Sequence, residues 1–376
     1  MIGYGRHSIS EDDIAAVVEV LRHNPLTQGP AVPLFEKSLC DYTGAEYAVA
    51  VSNGTAALHL ACLALGIGAG DTVWVAAISF VASANCARYC GAEVEFIDCE
   101  PVSGLLSVTH LQQKLILAQN SGRLPKALVV VHMGGNPCDL AAISALIKPH
   151  GIKLIEDAAH ALGAFYQGRA IGACEYSDIT TFSFHPVKPV TTGEGGAILT
   201  NDARLAAQCA LLRSHGITKI SEDFQHIADG PWYYEQQALG FNYRLTDIQA
   251  VLGVSQMKKL DQFIARRRDI VQRYRQALTQ PNLTLVSETA QAKSGWHLCV
   301  LHVPAEMKKE FYQHMLQHDI QLQVHYMPIY RQPYYHQPVL LGAELYYSSA
   351  ISLPVYPSLT DAEQAHVINC IHSYFS

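Results

Sequence analysis

Residues 125–160 read PKALVVVHMGGNPCDLAAISALIKPHGIKLIEDAAH. An apolar run at ALVVV, a glycine-containing loop, helical spacing through DLAAISALI and a second apolar run at KLIEDAA spell strand, helix, strand. Strands that are apolar along their whole length, rather than alternating, belong to a mainly parallel sheet covered on both faces. Working outward, the alternation repeats: AEYAVAVS (45–52) before a helix over 55–66, DTVWVA (71–76) before a helix over 81–91, then VEFIDC (94–99). Further on, SDITTFSF (177–184) and GGAILT (195–200) read as strands around HPVKPVTTGEG (185–195), which has too many Pro and Gly residues to be a helix.

The flanks complete an α/β organisation. SISEDDIAAVVEVLRH (8–23) opens with a Ser/Glu/Asp cluster and reads as a capped amphipathic helix over roughly 10–23, NPLTQGPAVP (24–33) breaks it, and FEKSLCDYTG (35–44) forms the next helix. A long helical pattern over 246–278 leaves the first domain, and its charged second half reads as a solvated face. Beyond it come strands near 284–288 and 297–303, a helix near 304–319, a strand at QLQVHY (321–326), the aromatic loop HYMPIYRQPYYH (325–336) and a final helix from Asp361. The expected division is therefore a large α/β domain over 1–245, including an N-terminal arm, and a smaller C-terminal α+β domain over 246–376.

Composition narrows the function classes. With 376 residues, 26 Lys+Arg against 33 Asp+Glu and a formal charge of −7, the chain has no broad basic field for nucleic acid or anionic lipid. No stretch approaches a membrane span, and MIGYGRHSISEDD lacks the cationic and apolar regions of a signal peptide, so the expectation is a cytoplasmic protein. The 10 cysteines form no C-x-x-C pair and read as reduced, mostly buried small hydrophobes, with no metal site expected.

Three places carry chemistry. Ser52-Asn53-Gly54-Thr55 lies between a strand and a helix start, where unpaired N–H groups form a phosphate cup, although the same residues serve as an ordinary helix cap. Asp157 ends a buried parallel strand and faces the ligand crevice of such sheets. A charge there requires a cation, such as a protonated pyridine nitrogen; the alternative is a carboxylate capping the next turn. Lys188 is fixed between Pro186 and Pro189 beside apolar strands. That setting desolvates its amine, lowers its pKa and favours the neutral form that condenses with a carbonyl into a Schiff base.

The order SNGTAAL, ISFVASAN, EDAAHALGA, TFSFHPVKPVTTGEGGAI, GFNYRLTDIQAVLG resembles the pyridoxal-phosphate-dependent sugar aminotransferases of the DegT/DnrJ/EryC1/StrS family, and the likeness runs from the N-terminus into the C-terminal domain. Within it, YGRHSISEDD, LTQGPAVPLFE, FSFHPVKP and VHYMPIY most resemble the C4 aminotransferases of pseudaminic acid biosynthesis. The resemblance implies fold type I of the pyridoxal-phosphate (PLP) transferases. It implies that Lys188 binds PLP covalently and that Asp157 pairs with its pyridine nitrogen. Gly54, Thr55 and Ser183 would hold the phosphate, Phe80 would lie against the ring, and His160 would sit near its phenolic oxygen. Asn242 would reach the cofactor phosphate of a neighbouring subunit, which implies a homodimer with shared sites. For the sugar nucleotide the matching positions are Tyr4, Asn24, Pro25, Leu26, Thr27, His325, Tyr326, Met327 and Pro328. Without the resemblance, the aromatic loop carrying the last four divides evenly between a ring-binding surface and a small-domain core.

The implied reaction moves an amino group from L-glutamate to C4 of a UDP-linked 4-keto-6-deoxy-N-acetylhexosamine. Alternatives are an aminotransferase for another UDP- or dTDP-keto sugar, acting at C3 or C4, and a non-catalytic regulator on the same fold. The family's sugar 3-dehydratases carry His where Lys188 stands, which speaks against that chemistry. A nicotinamide dehydrogenase is disfavoured because no loop spells G-x-G-x-x-G.

Overall fold

A computed structural model describes residues 1–375. Seven strands form the central sheet: β1 (Tyr47–Val51), β2 (Thr72–Ala76), β3 (Glu93–Ile97), β4 (Ala127–Val131), β5 (Lys153–Asp157), β6 (Ile179–Ser183) and β7 (Gly196–Thr200). Their spatial order is β1-β7-β6-β5-β4-β2-β3. The pairs β2/β3, β2/β4, β4/β5 and β5/β6 are parallel, whereas β7 runs antiparallel to both β1 and β6. The reversal at β7 follows from the Pro/Gly-rich loop before it: with no crossover helix, the chain returns antiparallel beside the strand it has just left. β7 thereby pairs Gly196 with Ser183 on one side and Val51 on the other.

Helices cover the sheet: α1 (Glu11–His23), α2 (Ala31–Thr43), α3 (Gly54–Ala64), α4 (Ala82–Tyr89), α5 (Val108–Ser121), α6 (Leu140–Ile147), α7 (Ala203–Arg213) and α8 (Asp247–Met257). α2 starts earlier than the residue pattern suggests, because Pro33 sits in its first turn, where no helical N–H partner is lost. α5 has no counterpart in the sequence reading. Its buried stripe is Leu111, Leu115 and Ala118, but exposed Ile116 and Leu117 blur the period.

The helical run over 246–278 is two helices, α8 and then α9 (Leu260–Ala277), parted at Lys258 and Lys259. One apolar core includes the sheet and extends through Ala250, Met257, Leu260 and Ile264; a second begins with Ile270, Val271 and Tyr274. The chain thus passes from core to core inside α9. Around the second core lie three antiparallel strands, Thr284–Leu285, Cys299–His302 and Ala350–Leu353, with α10 (Lys308–Gln317) and α12 (Asp361–Phe375). α11 (Leu341–Ser349), also absent from the sequence reading, sends Ala343 and Tyr346 into the first core. The N-terminal Ile2–Gly3 pairs in parallel with Ile320–Gln321, tying the arm to this second part.

The solvated-face reading of the charged half of α9 fails at Arg267, which is 1% exposed. Its guanidinium donates to the carbonyls of Trp296, His297 and Val355 at 3.3, 3.3 and 2.7 Å, so three backbone acceptors at the junction depend on one buried cation. Among the described residues no helix is long and apolar enough to cross a membrane, and all ten cysteines are free thiols.

Arg267→Ala strips those carbonyls of their donor and opens a cavity, so the full chain should lose about 3 kcal/mol or more of stability. Urea unfolding measures this, and Arg267→Lys should recover only part of the loss, since one ammonium cannot reproduce the guanidinium fork.

Candidate active site

The C-terminal ends of β1, β4, β5 and β6 open onto one cavity of about 1180 Å³. At its first wall, Asn53 caps α3 by accepting from the Ala56 N–H at 2.8 Å, leaving Gly54 and Thr55 as the opening residues of the helix and part of the lining. Cap and cup are therefore the same structure: Asn53 satisfies one N–H, and the first-turn N–H groups of Gly54 and Thr55 lie at the positive helix end. Close approach fixes the residue types. A Cβ on Gly54 would lie 2.8 Å from Ser183 Cβ, and one on Gly196 would lie 2.4 Å from the Asn53 carbonyl oxygen. Ser183 lines the cavity opposite Gly54.

Asp157 ends β5 and is 6% exposed. Its Oδ1 accepts from the Ala159 N–H at 3.1 Å and its Oδ2 accepts from the Ser83 hydroxyl at 2.5 Å. The turn-capping role and the cavity-facing role thus coexist. Lys188 sits on the irregular turn after β6, where its N–H donates to the His185 carbonyl at 2.9 Å. The residue as a whole is half-buried but its amine is enclosed. Burial lowers the amine to about 8, against the opposing pull of the Asp157 charge. A substantial fraction is therefore neutral near physiological pH.

Three imidazoles surround this pair. His160 accepts from the Gly134 N–H at Nδ1 (3.3 Å), which assigns its proton to Nε2, 3.3 Å from the Tyr326 hydroxyl. Burial, with the Lys188 charge, holds His160 well below the ordinary imidazole range. His297 stacks obliquely on it at 4.4 Å and is likewise held low, first by burial. His325, bonded through Nδ1 to the Ser352 hydroxyl at 2.8 Å, is pushed down to about 3 by burial and by Lys188. All three are neutral at pH 7.

Phe80 is 58% exposed and lies 6.2 Å from the Tyr326 ring across the cavity wall. Tyr4 packs edge-on against His325 at 4.9 Å, and both line the cavity with Tyr326 and Met327. Pro328 is buried behind them at the start of a short helical turn. The aromatic loop is divided: Tyr326 and Met327 face the cavity, while Ile329, Tyr330 and Tyr335 enter the large core, which corrects the expectation of a small-domain core. Asn24, Pro25, Leu26 and Thr27 are exposed, Asn242 is exposed on a bridge to Ser214, and none of these five lines this chain's cavity.

The sequence reading missed Ser79, Ser83, His185, Glu194, Gln323 and Gln332, of which all but Ser83 line the cavity, and His297 behind His160. Ser79 and Ser83 stand within the quoted ISFVASAN, but nothing in their spacing announces a carboxylate 74 residues away. A helix N-terminus, a lowered lysine, a buried carboxylate and a neutral imidazole on one cavity fit PLP: a phosphate, a carbonyl, a ring nitrogen and a phenolic oxygen each find a matching group. Among the described residues no cluster of His, Cys, Asp or Glu is arranged to hold a metal ion.

The signature of the DegT/DnrJ/EryC1/StrS aminotransferase family matches residues 7–372. The spore coat polysaccharide biosynthesis protein SpsC of Bacillus subtilis (strain 168) is 35% identical over 98% of this chain and 95% of its own. The UDP-4-amino-4,6-dideoxy-N-acetyl-beta-L-altrosamine transaminase of Campylobacter jejuni subsp. jejuni serotype O:23/36 (strain 81-176) is 36% identical over 96% of this chain and 93% of its own. The solved structure of Helicobacter pylori PseC, described as an aminotransferase involved in the biosynthesis of pseudoaminic acid, superposes with a TM-score of 0.90 at 30% identity, covering 100% of this chain and 99% of that one.

Because only a neutral amine attacks a carbonyl, condensation of Lys188 with an aldehyde probe should speed up about tenfold per pH unit below its pKa and level off above about 8. Hydride trapping across a pH series, with the modified peptide identified by mass spectrometry, measures the profile. A plateau reached only near the ordinary lysine pKa, about 10.4, would contradict the dehydrated setting.

Proposed function

We propose, from the premise that this chain belongs to the DegT/DnrJ/EryC1/StrS aminotransferase family and is a PLP-dependent sugar aminotransferase, that it transfers an amino group from L-glutamate to C4 of a UDP-linked 4-keto-6-deoxy-N-acetylhexosamine. The observation that carries the chemistry is the Lys188 amine, lowered to about 8 in the same cavity as Asp157 and the α3 N-terminus. The choice of sugar is supported by likeness to the Campylobacter transaminase and to the Helicobacter aminotransferase.

Bound PLP supplies an electron-accepting ring that stores the amino group between the two half-reactions. Lys188 would hold the cofactor covalently at rest and leave its Nζ free during turnover. Its free Nζ then accepts the proton from the donor α-carbon and, in the second half-reaction, delivers a proton to sugar C4. Asp157, held by Ser83 and Ala159, offers its carboxylate to the protonated ring nitrogen. Gly54, Thr55 and Ser183 hold the phosphate. His160 would lie near the phenolic oxygen, and Phe80 would lie against the ring. Tyr4, His325 and Met327 line the acceptor's side of the cavity.

A homodimer with shared sites is part of the reading. A nucleotide diphosphate and a dicarboxylate donor need cations, yet among the described residues that line the cavity Lys188 is the only Lys or Arg, and the nearby histidines are neutral. Asn242 and the turn 24–27, exposed and outside this chain's cavity, are free to complete the site of a second copy. A different nucleotide or sugar is the second reading, favoured by the almost equal identity to SpsC, whose name specifies no such acceptor.

The test incubates purified protein with glutamate and a panel of UDP- and dTDP-linked 3- and 4-keto sugars, identifying products by NMR. The expected outcome is a 4-amino sugar from the UDP-linked N-acetyl 4-ketone, with 2-oxoglutarate as co-product. Lys188→Ala should retain cofactor binding and lose about 10³-fold or more in turnover. Product from another nucleotide or at C3 would move the assignment to the second reading.

A further inference from the structure

We propose that Ser83, with Ser79 behind it, is a positioning residue that fixes the Asp157 carboxylate to receive a ring nitrogen. This rests on the cofactor reading above and goes beyond it by giving Asp157 a dedicated support. Ser83 is the second residue of α4 and is fully buried, and Ser79 lies just before the helix, 3% exposed. The Ser83 hydroxyl has one proton, which is donated to Asp157 Oδ2 at 2.5 Å. Its oxygen can then only accept, so the Ser79 hydroxyl, 2.5 Å away, is the donor to it. The chain of donation runs one way, Ser79 to Ser83 to Asp157, and each bond polarises the next.

The bland alternative is that both serines are buried hydroxyls satisfied by whatever stands near. A serine in the first helical turn has closer options, because local backbone groups compete for its hydroxyl. Ser83 instead commits its proton to a carboxylate on another strand, 74 residues away. With the Ala159 N–H on Oδ1 and Ser83 on Oδ2, both carboxylate oxygens are anchored and the group cannot turn about its terminal bond. The lone pairs left over are thereby fixed in direction on the wall of the cavity that Asp157 lines. A pyridine nitrogen carries one N–H in one direction, so a carboxylate free to rotate would meet it less often in line.

The experiment measures the affinity of the full chain, freed of cofactor, for PLP and for its analogue with the ring nitrogen replaced by carbon. Ser83→Ala should weaken PLP about tenfold, the scale of one hydrogen bond to an ionised group, and leave the analogue within about twofold. Ser79→Ala should act in the same sense and less strongly, Ser83→Thr should restore affinity for PLP, and in an Asp157→Ala background Ser83→Ala should change nothing further. Equal weakening of both ligands, or of neither, would overturn the proposal. If the unaltered protein bound both ligands equally, the Asp157 assignment itself would fall, and the proposal with it.

Discussion

The structure depends on keeping an amine and a carboxylate dehydrated in one crevice without letting them neutralise each other. Burial moves Lys188 down to about 8, and the Asp157 charge works against that shift. Had Lys188 been the sole partner of Asp157, the attraction would have locked the amine in its charged, unreactive form. Asp157 bonds instead to the Ser83 hydroxyl and the Ala159 N–H, and burial of the amine outweighs the carboxylate's charge. The α/β architecture makes this possible: β5 and β6 end side by side in parallel, delivering the carboxylate at one strand end and the lysine on the turn after the next.

The same dehydration governs the surrounding imidazoles. A charged His160, His297 or His325 would add a second buried cation beside Lys188, and all three are held neutral. Neutrality gives each ring one donor nitrogen and one acceptor nitrogen, which is why the Gly134 N–H can set the direction of His160. Both parts of the chain contribute. His325 and Tyr326 follow the short strand that pairs with the N-terminal arm, and the Tyr4 carbonyl of that arm accepts from the Val355 N–H. The arm is thereby clamped where Tyr4 can line the cavity.

What was legible in the sequence follows from where each signal originates. β4, β5 and the Lys188 loop were readable because continuous apolar runs and bracketing prolines are local facts that tertiary packing confirmed rather than altered. Arg267 was misread because helical period shows that a face is charged, not that loop segments beside later strands will cover it with carbonyls. Ser83 and His297 had no sequence signal of their own, since their meaning comes from contacts with Asp157 and His160. Asn242 and residues 24–27 differ again: they were singled out by likeness to a family, and one folded chain leaves them outside its own cavity.

The aromatic loop shows how one wall of the cavity gains rigidity. Ile329, Tyr330 and Tyr335 are packed in the large core, and the Tyr335 hydroxyl donates to Asn85 at 2.6 Å, so the segment is pinned on α4, the helix that also carries Ser83. Tyr326 and Met327 therefore project from an anchored backbone rather than a mobile loop, and their positions are set by the element that orients Asp157. On the reading proposed above, selectivity for a sugar falls to the polar groups beside them, the Tyr4 hydroxyl and the amides of Gln323 and Gln332. Groups of this kind would discriminate between acceptors, because a ligand that leaves a hydroxyl or amide of the site unpaired loses more than one that merely fills an apolar wall less well.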